Sequence, residues 1–167
     1  MDVELFVDWI SRFLHIATAI TLIGGSIFLR FVLLPAAERL APAAQETLTT
    51  ELVARWKRIV HLGIVLFLAS GFYNYYRAIP DHRGDGLYHA LVGTKILLAL
   101  IVFFLAAALV GRSAALEPIR RQRRRSLTAL VLLATVIVAV SGWVKVRGLP
   151  AAVDVPPPGP QVAQPDR

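Results

Sequence analysis

The chain has 167 residues, 56% of them hydrophobic and only 17% charged, with a formal net charge of +7 and no cysteine. Its mean hydropathy of +0.62 is well above that of an ordinary soluble domain, and the lack of cysteine excludes disulfides, thiolate metal sites and thiol redox chemistry. The basic residues gather in two connecting segments, which points to orientation across a membrane and to no nucleic-acid partner.

A spanning helix needs about 20 mostly apolar residues, because the hydrocarbon core is ~30 Å thick and a helix rises ~1.5 Å per residue. Four segments meet that requirement: Trp9 to Leu34, Ile59 to Tyr76, Leu87 to Gly111 and Ser126 to Val146. The predicted fold is all-α, an integral membrane four-helix bundle over 1–147, followed by a disordered Pro-rich external tail over 148–167. None of the four segments carries the polar stripe that a soluble bundle would need. The first resembles a signal peptide only superficially, since its leading end is acidic (Asp2, Glu4, Asp8) and its apolar run is too long, so it reads as a retained helix.

The connections fix the orientation. Arg39, Arg55, Lys57 and Arg58 stand in the first, and Arg112, Arg120, Arg121 and Arg123 to Arg125 in the third, whereas the second has only Arg77 and Arg83. Positively charged loops stay in the cytoplasm, so both ends of the chain are expected outside. Lys145 and Arg147 run against that majority. The first connection, Pro35 to Trp56, reads as a loop with a short surface helix around Gln45 to Leu48. The second, with Pro80, Gly84 and Gly86, reads as a tight external turn, and the arginines of the third are expected to meet anionic lipid headgroups. Small residues (Gly24, Gly25 and Ser26; Gly63, Ser70 and Gly71; Thr128, Thr135 and Gly142) mark the faces on which helices pack.

Polar groups inside a bilayer cost several kcal/mol unless they find partners, which makes each one a candidate functional residue. His15 lies six residues past the interfacial Trp9, ~9 Å along the axis, and Lys95 eight residues past Leu87, ~12 Å along a helix entering from the same side. Both therefore fall in the outer leaflet at similar depth. Tyr88, on the face of Lys95, and Asn74, at the outer end of the second helix, are expected to rim the same pocket. His61 and Arg30 at the inner face read as headgroup contacts, and His82 and His89 as interfacial histidines. No intramembrane carboxylate relay, Gly-rich phosphate loop, HExxH zinc motif or GxSxG elbow is present, and Met1 is the only methionine, which disfavours a soft-ligand copper path. An imidazole and an amine in an apolar bundle remain, and they suit a haem iron.

The residues Phe13-Leu14-His15-Ile16, Gly24-Gly25, Phe28-Leu29-Arg30-Phe31-Val32, Arg55-Trp56-Lys57-Arg58 and Lys95-Ile96-Leu97-Leu98 together resemble the copper resistance D (CopD) superfamily and its HemJ-type relatives. The resemblance implies a multi-pass protein of the bacterial inner membrane. Toward the HemJ-type members it implies haem b, with His15 and Lys95 at the site, and a protoporphyrinogen oxidase type of reaction in haem metabolism. Toward the CopD members it implies copper handling, for which His15, His61 and His89 are the available ligands. A third reading is a non-catalytic subunit or homo-oligomeric partner in a respiratory or assembly complex, motivated by the small-residue faces. The chain departs from the HemJ-type pattern at the fourth helix, where Arg125-Ser126-Leu127-Thr128 replaces the usual Asn-Glu-x-Pro.

Overall fold

A computed structural model describes residues 2–148, so the tail reading lies outside the described residues. The elements run α1 (Val3–Phe28), a π-helical turn (Leu29–Leu33), α2 (Leu34–Ala37), α3 (Pro42–Ala78), a 3-10 turn (Pro80–His82), α4 (Gly86–Val110), a 3-10 turn (Ala114–Leu116), α5 (Glu117–Arg121) and α6 (Arg123–Arg147). The described residues contain no strand. Three helical runs are long and apolar enough to cross a membrane: Val3–Ala37, which joins α1, the π turn and α2, then Gly86–Val110 and Arg123–Arg147.

The helices differ from their predicted bounds where polar residues extend them. The first begins at Val3, since Asp2 caps it by accepting from the Glu4 N–H at 3.4 Å. It also runs through Pro35, because the π turn just upstream widens the helix where proline removes a donor and crowds the preceding turn. The predicted loop and surface helix are replaced by the first half of a single 37-residue α3. Pro42 starts it with φ already set, and the residues that follow (Ala43, Ala44, Gln45, Glu46) are good helix formers with nothing to interrupt them. Arg123 to Arg125, predicted to lie in the third connection, form the first turn of α6. The turn after α3 is as expected, with Gly84 at φ +82, a conformation that glycine adopts freely.

The long helices close a ring: α1 contacts α3, α3 contacts α4, α4 contacts α6, and α6 returns to α1. Successive long helices are antiparallel, as the ion pairs at their ends require. Asp8 near the start of α1 holds Arg77 at the end of α3, and Asp85 before α4 holds Arg147 at the end of α6. At the opposite end Leu29, Leu109, Leu127 and Leu130 form a buried cluster with Trp56 packed on it. Large apolar side chains such as Ile20, Leu62, Phe72, Leu97, Leu132 and Trp143 stay on the outside, as expected of a surface solvated by lipid.

The small residues act unequally. A Cβ on Gly25 would overlap the Trp56 indole, one on Gly63 would sit 2.9 Å from Leu22, and one on Gly71 would sit 3.2 Å from the His15 ring. These glycines allow α1 and α3 to approach closely. Gly24 and Gly142, grouped with the packing residues on sequence grounds, would meet nothing within 4 Å.

Candidate functional site

The seam between α1 and α3 repeats at alternating spacings of three and four. On α1 it comprises Asp8, Ser11, His15, Thr18 and Leu22, and on α3 Gly63, Phe67, Ser70, Asn74 and Arg77. Spacings of three and four keep residues on one helix face, so these two stripes meet along several turns. The half of the seam that begins at Asp8 is polar. Asp8 accepts from Tyr73 Oη at 2.8 Å and, in a bidentate pair, from Arg77 Nε at 3.0 Å and Nη2 at 2.9 Å. One turn inward Ser11 Oγ reaches Asn74 Oδ1 at 3.1 Å and the Ser70 carbonyl at 3.4 Å. A further turn inward His15 Nδ1 lies 3.0 Å from Ser70 Oγ.

That last bond fixes the imidazole tautomer. Ser70 Oγ donates its only proton to the Leu66 carbonyl at 2.7 Å, so toward His15 it can only accept. Nδ1 therefore carries the hydrogen, and in the neutral ring Nε2 keeps a lone pair. The ring packs against Phe67 with centroids 4.0 Å apart, and Phe67 in turn meets Phe103 of α4 edge-on at 5.5 Å. Among the described residues no partner bonds Nε2.

Lys95 is half-buried on α4, and among the described residues its amine joins neither a hydrogen bond nor an ion pair.

The other candidates fall elsewhere. Asn74 is one turn outward of Ser70 and is engaged by Ser11. Tyr88 is seven residues before Lys95, ~10 Å along the axis, and only 8% exposed. Its ring stacks on His82 at 3.6 Å, and its N–H donates to Asp85 at 3.0 Å. It belongs to the closure of the outer end. His89 lies with Tyr75, Nδ1 to Oη 3.3 Å, and His61 is exposed with Nδ1 on the Lys57 carbonyl at 2.7 Å. His15, His61 and His89 therefore occupy three levels, and the described residues contain no group of three or more His, Cys, Asp or Glu able to hold a metal ion.

Just before α4 the Asp85 carboxyl is 5% exposed; it accepts from the Tyr88 N–H and pairs with Arg147. The Tyr88 N–H first, and Arg147 after it, hold Asp85 below the usual carboxylate range against the opposing effect of burial.

At the end opposite Asp8 and Asp85 a cleft of about 610 Å³ opens between the π turn and the start of α6, lined by Arg30, Arg121, Arg124, Arg125, Thr128 and Leu132 among others. Arg30 was read from sequence as a headgroup contact alone; here its Nε donates to Thr128 Oγ1 at 2.6 Å. Asp8, Ser11, Ser70 and Arg77 are the residues that sequence reasoning passed over. Their alternating three-four spacing on two helices was the available signal.

Comparison with known protein families, with curated proteins and with solved structures returns no match for this chain.

Proposed function

We propose that the chain is a CopD/HemJ-like protein of the bacterial inner membrane whose four long helices, α1, α3, α4 and α6, cross the bilayer with both ends outside. Three runs apolar enough to span, and arginines concentrated at the α1–α6 end opposite Asp8 and Asp85, support this topology. In this reading His15 is the axial ligand of a b-type haem or related porphyrin in the outer half, and the protein serves redox or haem metabolism.

The carrying observation is the one-way bond from His15 to Ser70, which orients the ring and leaves Nε2 as its donor atom. Histidine ligands are commonly fixed in this way through the other ring nitrogen. The residues fit a haem by donor chemistry: an imidazole oriented by Ser70, and on α4 a lysine amine without a partner among the described residues, suited to a propionate carboxylate. The fit rests on donor chemistry alone; the cleft lined by Arg30 and the start of α6 lies at the other end of the bundle. A b-type haem supplies one-electron redox chemistry when bound. The chain's own part is to hold the imidazole proton on Nδ1, to present Lys95 to a carboxylate, and to exclude bulk water with Phe67 and Phe103.

The test is an absorption spectrum of protein purified in detergent and supplemented with haem. A Soret band that survives His82→Ala and disappears in His15→Ala is expected. Absence of any band after supplementation would overturn the reading.

A further inference from the structure

We propose that the inner-end cleft is a binding site for one anionic phospholipid, with its phosphodiester on Arg30 and the first turn of α6. Three independent features converge there. The first is charge: Arg30, Arg121, Arg124 and Arg125 line a cleft of about 610 Å³. Two are restrained by acids, Arg121 by Glu117 at 2.8 Å and Arg124 by Glu38 at 3.7 Å. Arg30 and Arg125 have no acidic partner among the described residues, Arg125 meeting only Gln122 Oε1 at 3.4 Å. Guanidinium forks of this kind match phosphate oxygens in geometry as well as charge.

The second feature is the start of α6. Gln122 precedes the helix and gives no side-chain cap, so the first-turn N–H groups of Arg123 to Arg125 have no intrahelical acceptor. Gln122, Arg124 and Arg125 all line the cleft, which places the positive end of a 25-residue helix dipole against it.

The third feature is the placement of Arg30. It sits in the π turn Leu29–Leu33, an interruption found most often at functional positions. Thr128 Oγ1 gives its own proton to the Arg124 carbonyl at 2.9 Å and is thereby an acceptor for Arg30 Nε. With Nε occupied, the two terminal guanidinium nitrogens remain for a ligand.

The apolar lining decides for a lipid over a free phosphate. Ala129 and Leu132 continue the cleft along α6, and Leu132 is 61% exposed, so an acyl chain would follow α6 while the headgroup stays at the arginines. Arg55, 84% exposed at its side chain and paired only with Glu51, serves as a control at the same end of the molecule.

The experiment is native mass spectrometry of the full chain released from nanodiscs of phosphatidylcholine with a minor fraction of phosphatidylglycerol. The wild type is expected to retain one phosphatidylglycerol in preference to phosphatidylcholine. Arg30→Gln is expected to lower that retention about tenfold or more, and Arg55→Gln to leave it unchanged. Arg125→Gln, on the rim and without a helix-packing role, repeats the test if Arg30→Gln does not fold. Equal retention of the two lipids, or equal loss in Arg30→Gln and Arg55→Gln, would overturn the proposal. So would thermal stabilisation by inorganic phosphate alone with none by short-chain phosphatidylglycerol.

Discussion

His15 and Ser70 form a hydrogen bond with a single possible direction: the imidazole donates from Nδ1 across 3.0 Å because the serine proton is already given to the Leu66 carbonyl at 2.7 Å. Ser70→Ala is expected to weaken haem binding roughly 10–100-fold, as loss of a ligand-orienting partner does, and to cost about 1 kcal/mol of stability. Haem titration and unfolding curves of the two proteins check this. Nitrogen-15 NMR of the His15 ring should show the proton on Nδ1 in the wild type; the opposite tautomer would remove the basis of the ligand assignment.

The ion pair closing the outer end gives the protein a defined acid response. The folded carboxyl of Asp85 is depressed, so its contribution to stability is fully present above the unfolded value of about 3.9 and is lost as pH falls through the lower folded value. The melting temperature should be insensitive to Asp85 from neutral pH down to about 5 and should drop below about 4. Asp85→Asn should be less stable than the wild type near neutrality, and the difference should shrink in that acid window. A difference that is constant from pH 7 to pH 3 would contradict the ion-pair account.

Adjacent glycines on α1 are predicted to respond oppositely. Gly25→Ala places a methyl group in the Trp56 indole and is expected to cost about 1–3 kcal/mol, the usual penalty for overpacking. Gly24→Ala adds a methyl group to open space and replaces a poor helix former, so it should be neutral or stabilising by up to about 1 kcal/mol. Unfolding in mixed detergent micelles, followed by tryptophan fluorescence, separates the two.

The absence of native cysteine makes topology directly measurable. With both ends outside, His82→Cys in the turn after α3 should react with a membrane-impermeant thiol reagent in intact cells. Gln122→Cys should react only after the membrane is opened. The reverse pattern would invert the orientation while leaving the helices as they are.

Length and hydropathy carried much of the fold in the sequence, because three helical runs each hold an apolar window long enough to span and lipid admits few alternatives. Helix ends were less legible. Val3, the residues after Pro42 and Arg123 extend helices by local propensity and capping, which hydropathy does not record. The similar depth of His15 and Lys95 is an expectation from axial distances alone, since two parallel helices entering from one side share a depth scale. Ser70, the residue that orients His15, was read only as a small packing residue. Its second role depends on rotation about the helix axis, which became visible only when α1 and α3 were set face to face. The stacking of Tyr88 on His82 was equally illegible, since His82 is a turn residue whose fold-back no periodicity reports.

The extra residue in the π turn gives α1 two allegiances. Up to Leu22 the helix is keyed to α3, while past Leu29 its side chains are advanced by roughly a quarter of a revolution, which delivers Arg30 to α6. Excising one residue from Leu29–Leu33 would restore an unbroken ladder and swing that guanidinium away from Thr128. The number of residues in this helix, and not merely their character, thus determines whether its two ends can serve different neighbours.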